Sequence, residues 1–203
     1  MTPAAVSQRD PVGTFWLLDL ARQEPSPVAP RIEARFGRAG EEAAAELAGA
    51  MELAGPAPVV ERFSGGRRCY VARVGGAVAA YGWVSFEEEW IGELGKRLRL
   101  APGDAYVWDC VCLPAYRGKR LFPALLAYVA RDLRTEGLRR VWIGANTESV
   151  ASQKGIALAG FQPMADVFLA PGPGDGPASM AGRPGVPEPL VEEIRAALLP
   201  GDG

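Results

Sequence analysis

Between Leu113 and Leu126 the chain reads Leu-Pro-Ala-Tyr-Arg-Gly-Lys-Arg-Leu-Phe-Pro-Ala-Leu-Leu. Arg117, Lys119 and Arg120 place positive charge around Gly118, directly ahead of a run with helical apolar spacing. The first N–H groups of a helix lack internal acceptors and the helix dipole is positive there, so such a turn is a seat for phosphate. Just upstream, Tyr106-Val-Trp-Asp-Cys-Val-Cys-Leu113 has strand character and carries two side chains able to handle protons, Tyr106 and Asp109. Burying a carboxylate among apolar neighbours is costly, which makes Asp109 conspicuous. It reads either as a general base or as a structural carboxylate that accepts hydrogen bonds from nearby amides. The chain has no histidine, which removes the commonest general base, most zinc sites and every Ser-His or Cys-His pair. No metal is expected. Cys69, Cys110 and Cys112 do not make an even disulfide framework, and without a base beside them they read as small strand residues of a reducing cytoplasm.

The elements that must hold these residues follow from pattern. Val12 to Gln23 carries Phe15, Trp16, Leu17, Leu18 and Leu20 and is expected as a short helix, with another helical turn near Ile32 and Phe36. Glu41 to Leu53 is rich in Ala, Glu and Leu and predicts a helix. Arg68–Val74 and Ala77–Phe86 are β-prone runs separated by Gly75-Gly76, a hairpin signal. Glu87 to Leu100 sets Trp90, Ile91, Leu94 and Leu98 at helical spacing. Its Glu87, Glu88, Glu89 and Glu93 would either attract a cation or form a solvated face. Trp83 and Trp90 would either line a cleft or pack in a core. Tyr106–Leu113 is a strand, and Leu121–Arg134 a helix closed by Gly137. Arg140–Ala145 is a strand, Ser149–Ala159 a helix, and Phe161–Leu169 a final strand.

Residues 1–66 are thus expected as an N-terminal helical part and 67–170 as the core. Residues 171–189, dense in Pro and Gly, read as a linker, and 190–203 as a terminal helix. That helix, with Leu190, Val191, Ile194, Ala197 and Leu198 on one stripe, would cap the core, cover a groove or dock on a second copy, which leaves a homodimer open. A net charge of −2 gives no global case for nucleic acid or an anionic membrane as partner. No apolar run approaches the roughly 18 residues of a membrane span, and no signal peptide is visible.

Over about residues 67–170 the order of elements resembles the GNAT acyltransferase superfamily. The resemblance is strongest at Val111-Cys-Leu-Pro-Ala-Tyr-Arg-Gly-Lys119 and at Ser149-Val-Ala-Ser-Gln-Lys-Gly-Ile-Ala-Leu-Ala-Gly-Phe161. It implies an α/β (α+β) fold with a mixed, mostly antiparallel central sheet flanked by helices and splayed at the cofactor-binding strand. It implies acetyl-coenzyme A as acyl donor and a primary amine of a small molecule or peptide as acceptor, with direct transfer between them. The pantetheine would pair like an added strand with the backbone of Cys112 and Leu113. The amides of Gly118, Lys119, Arg120, Leu121 and Phe122 would cradle the pyrophosphate, and Asn146, Ser149 and Ser152 would lie near the cofactor. Arg120 and Phe122 depart from the family pattern, where glycine and a small residue are usual; helical φ/ψ is open to arginine. The family's helix tyrosine is replaced by Ile156 and its strand glutamate by Trp108. Asp109 and Tyr106 are then the catalytic candidates, and a non-catalytic acyl-coenzyme A-binding module with this fold is the alternative.

Overall fold

The computed structural model describes residues 10–169 and 179–200. The strands are β1 (Gly13–Asp19), β2 (Arg35–Ala39), β3 (Arg68–Val74), β4 (Ala77–Ser85), β5 (Glu88–Ile91), β6 (Lys96–Arg99), β7 (Asp104–Cys112), β8 (Arg140–Asn146), β9 (Gln162–Phe168), β10 (Ser179–Gly182) and β11 (Leu198–Pro200). The helices are α1 (Ala44–Ala50), α2 (Ala57–Ser64), α3 (Leu121–Thr135), α4 (Val150–Leu158) and α5 (Glu188–Ala197). Eight strands form one sheet in the order β10-β9-β1-β8-β7-β4-β3-β2, and β11-β6-β5 form a second, smaller one. Every neighbouring pair is antiparallel except β7 and β8. The mixed, mostly antiparallel sheet flanked by helices is the one the family resemblance implies.

The parallel pair is short. It runs only from Asp104 opposite Arg140 to Val107 opposite Ile143. Beyond it β8 stays on β1 as far as Asn146, while β7 stays on β4 as far as Cys112. The sheet therefore opens into a V between the far ends of β7 and β8. One face of the sheet packs against α3, whose Leu121, Leu125, Leu126, Val129 and Leu133 are buried with Val107, Val141 and Ile143. On the opposite face α1 and α2 cover Val71, Tyr81 and Trp83. The small sheet and α5 cover Phe15, Leu17, Tyr106 and Trp142 there.

Several sequence expectations need correction. Residues 13–19 form β1 rather than a helix. The strand lies between β8 and β9 with both faces covered, Phe15 and Leu17 on one side and Trp16 and Leu18 on the other. A strand buried on both faces reads as a continuous apolar run, which periodicity does not separate from a helix. The turn expected near Phe36 is strand β2, so residues 10–66 hold two strands as well as two helices. Residues 88–99 form the β5–β6 hairpin, reversed by left-handed Gly95. Of the expected linker, 179–182 form β10 on β9, and α5 begins at Glu188; 171–178 and the end of the terminal segment, 201–203, lie outside the described residues. Val191 and Ile194 of α5 are buried in the core of their own chain. The Gly75-Gly76 hairpin, α3 and the Gly137 cap form as expected, both hairpin glycines and Gly137 having positive φ.

Candidate active site

The V encloses a cavity of about 640 Å³. Tyr106, Asp109, Phe122, Asn146, Ser149 and Ser152 line it, so six of the residues singled out from sequence meet there. The cavity reaches both sides of the sheet. Cys110, Phe122 and Ile156 belong to the side covered by α3 and α4, whereas Phe15, Ile91, Leu94 and Tyr106 belong to the opposite side.

Along β7 the open edge is backbone. Leu113 N–H donates to Ala79 O at 3.0 Å. In an antiparallel ladder the next pair, Cys112 with Ala80, is then the one that exchanges no hydrogen bonds, so the N–H and C=O of Cys112 point away from β4 into the V. Leu113 is thus corrected as a partner for an added strand: its N–H is already used inside the sheet. Arg117 Nε donates to Cys112 O at 3.3 Å across the start of the turn.

At the end of that edge, Pro114–Tyr116 make one 3-10 turn and Gly118 follows with φ +73°. Arg120, immediately before α3, has φ +59° and ψ +23°. It is not helical, as its sequence position suggested, but left-handed, where an L side chain is strained by about 1–2 kcal/mol. This explains why glycine is usual at that position. Among the described residues, no protein acceptor takes the N–H of Gly118, Lys119, Arg120, Leu121 or Phe122. Nothing lies within 4 Å of a Cβ built on Gly118, so the approach to these groups is open. Lys119 O is fixed from behind by Arg31 N–H at 2.8 Å. Phe122 turns away and packs on α4, its ring 2.7 Å from a Cβ built on Gly155. The bulk at 122 is thus absorbed by a missing side chain at 155. On α4, Ser149 Oγ bonds Ser152 Oγ at 2.8 Å, and Gln153 holds the carbonyls of Asn146 and Thr147.

Midway along β7 the ladder with β4 slips between Tyr81 and Trp83, and Asp109 has φ +42°. The extra residue makes a β-bulge. Strict alternation would send Asp109 to the α3 side; the bulge turns it to the side of Trp108 instead. There it is ion-paired with Arg62 of α2, which also stacks 4.7 Å from the Trp108 ring and 5.1 Å from that of Trp83. Trp108 Nε1 donates to Ser85 Oγ at 2.9 Å, Ser85 to Glu89, and Arg67 clamps Glu89 from the other side. Asp109 is therefore a partnered carboxylate; its partner is a guanidinium, not the loop amides considered from sequence. Arg62 carries no signal in the sequence, since 47 residues separate it from Asp109.

Tyr106 is 6% exposed and its ring lies 6.3 Å from that of Phe15. Its hydroxyl sits over Gly144 of β8, 3.2 Å from a built Cβ, and has no hydrogen-bond partner among the described residues. Burial, reinforced by the charge of Glu93, pushes this phenol well above its ordinary range, so it stays protonated and can donate or accept a hydrogen bond but does not act as a phenolate base. Burial also pushes the Cys110 thiol up, which keeps it un-nucleophilic. Of the acidic segment, Glu88 pairs with Arg97 and Glu89 with Arg67, leaving Glu93 on the cavity wall. Trp83 is fully buried and Trp90 is 47% exposed; neither lines the cavity. Among the described residues no cluster of three or more His, Cys, Asp or Glu could hold a metal, and no helix is long and apolar enough to cross a membrane.

The sequence profile of the acetyltransferase (GNAT) family matches residues 40–161, more than half of the chain. The chain belongs to that family. Among solved structures, a GNAT-family acetyltransferase of Colwellia psychrerythraea superposes with TM-score 0.51 at 17% identity, over 76% of this chain and 53% of that one. One from Streptococcus pneumoniae gives 0.52 at 14%, over 73% and 95%, and a Drosophila protein 0.52 at 12%, over 75% and 48%. The chain spans about half the length of the Colwellia and Drosophila proteins. At these identities the likeness concerns the fold. No curated protein matches the sequence.

Proposed function

We propose that this chain transfers the acetyl group of acetyl-coenzyme A directly to a primary amine. The observation that carries the reading is the open edge of β7 ending in five unpartnered N–H groups. An extended amide-bearing arm would pair with the Cys112 backbone, and a pyrophosphate would accept from Gly118 to Phe122. Arg117, Lys119 and Arg120 add charge; Asn146, Ser149 and Ser152 line the opposite lip. Acetyl-coenzyme A supplies an acyl carbon activated as a thioester.

In the transfer a C–N bond forms and the C–S bond breaks, its electron pair going to sulfur. The amine loses one proton and the thiolate gains one, so no redox partner or metal is required. Tyr106, on the cavity lining, would donate its hydroxyl proton to the departing sulfur. With Asp109 held by Arg62, Glu93, which lines the cavity with Tyr106 and adds its charge to that phenol's environment, would take the departing amine proton. Ile156 fills the position of the family's tyrosine with an apolar group. Three free thiols fit a reducing compartment such as the cytoplasm.

Isothermal titration with acetyl-coenzyme A, followed by thiol-release assays across an amine panel, tests the proposal. Saturable binding and amine-dependent thiol release are expected. Absence of binding at millimolar ligand would sink it. The ion pair of Asp109 and the apolar Ile156 favour a second reading, an acyl-coenzyme A-binding module. That reading predicts binding without turnover on any amine.

A further inference from the structure

The mouth of the cavity on the face opposite α3 and α4 has a chemical character of its own. Its walls are Phe15, Ile91, Leu94 and Val167, an apolar sleeve contributed by β1, by β9 and by the β5–β6 hairpin. Every charged residue on the cavity lining is acidic: Asp10, Glu93, Asp109 and Glu148. Asp109 is neutralised by Arg62. Asp10, Glu93 and Glu148 take part in no ion pair among the described residues. Acidic side chains alone do not define a site. Here a second observation points the same way. At the foot of the sleeve Tyr106 is 6% exposed, lies on the cavity lining beside Gly144, and its hydroxyl has no protein partner among the described residues. A neutral phenol has both a proton to donate and lone pairs to accept from an ammonium.

We infer that the acyl acceptor is a primary amine on an apolar body without a carboxylate, held by Glu93 and Tyr106 with its body in the sleeve. The inference rests on the acetyltransferase reading and narrows its substrate class. Two exclusions give it content. A free amino acid brings its carboxylate into a cavity whose lining offers three anions outside any ion pair and no cation, so like charges meet. A polyamine satisfies the rim but leaves the sleeve without an apolar partner, and its additional charges would be desolvated there.

Phenethylamine and phenylalanine differ only by the carboxylate and make the matched probes, with spermidine as the third. Each is titrated calorimetrically into the full chain with coenzyme A present, after a separate titration of acetyl-coenzyme A. Phenethylamine is expected to bind about tenfold tighter than phenylalanine, the scale of one close like-charge contact at a partly hydrated site. Glu93→Gln, on an exposed residue, should reduce that preference to about threefold or less. Tyr106→Phe should weaken phenethylamine and leave phenylalanine unchanged, which a merely structural role would not do. Equal or tighter binding of phenylalanine, or a preference untouched by both variants, would overturn the inference. Tighter binding of spermidine would overturn its apolar half. Failure of the donor to bind would sink the acetyltransferase reading itself, whereas donor binding with the wrong amine preference sinks only this one.

Discussion

Strand β7 has two ends built on opposite rules. At its start the buried carboxylate has found protein partners. Asp104 is 3% exposed and accepts from Arg140 Nε at 2.9 Å and from Trp142 Nε1 at 2.9 Å, and Arg140 continues to Glu193 on α5. This closes the V. At its other end polar groups are left over: the outward N–H of Cys112 and the amides of 118–122. Nine residues of one strand thus pass from a self-satisfied clamp to an unsatisfied opening. The difference teaches where stability and binding are stored. Changes at the closed end should cost folding; changes at the open end should cost ligand.

The largest expected effect is at the clamp. Asp104→Ala leaves the Trp142 N–H and part of the Arg140 charge buried without an acceptor. It should lower unfolding free energy by about 3 kcal/mol in denaturant melts. Acetyl-coenzyme A affinity of the folded fraction should stay within about twofold if the two ends are independent. At the open end the pattern inverts. Gly118→Val places a branched side chain at positive φ in the path to the free amides, and donor affinity should fall about a hundredfold, roughly 2.7 kcal/mol by calorimetry. The folding cost there should be about 1–2 kcal/mol. Equal loss of donor affinity at both sites would erase the contrast.

Two smaller effects sharpen it. Arg120→Gly relieves a left-handed side chain but adds freedom to the unfolded chain, for a net stabilisation of about 0.5 kcal/mol in thermal melts. The open end would then be shown to hold strain as well as unpaired donors. Least of all is Glu193, whose carboxyl is held below its ordinary range by the hydrogen bond from Arg140. A depressed folded-state pKa contributes stability above the unfolded value near 4.5 that disappears as pH falls through the folded one. With Glu193 partly exposed, Glu193→Gln should cost only about 0.5 kcal/mol at neutral pH, after allowing for solvent screening. Stability curves of the two proteins should converge as acidification takes the carboxyl down through its folded-state pKa.

The two ends also differed in how far they could be read from sequence. The phosphate turn is local: charge, glycine and helix start are neighbours in the chain, so residues 113–126 announced themselves. Gly75-Gly76 and α3 were legible for the same reason. The left-handed state of Arg120 was not, because nothing about arginine signals positive φ. β1 was misread because burial on both faces erases alternation, and β5–β6 because four apolar residues at helical spacing can equally serve two short strands. β10 was hidden by Pro- and Gly-rich neighbours. The bulge at Asp109 depends on residues 27 and 47 positions away, and no local pattern encodes them: Gly82, the β4 residue at the slip, where a Cβ would meet Cys110 Sγ at 2.8 Å, and Arg62, which pairs with the carboxylate. Side-chain chemistry at the acceptor mouth was visible only as Glu93 and Tyr106, without the sleeve that joins them.

Phe122 and Gly155 carry a last consequence. The ring occupies the volume that a methyl on α4 would need, so the two positions cannot vary separately. Gly155→Ala alone must push Phe122 back toward the amides of its own turn, while Phe122→Ala alone opens a notch between α3 and α4. Together the pair forms a registration peg. It sets how far the middle of α4 stands from the start of α3, and therefore the width of the slot any ligand must enter. Relatives with a bulky residue at the first position should carry glycine at the second, and a slot of the same gauge.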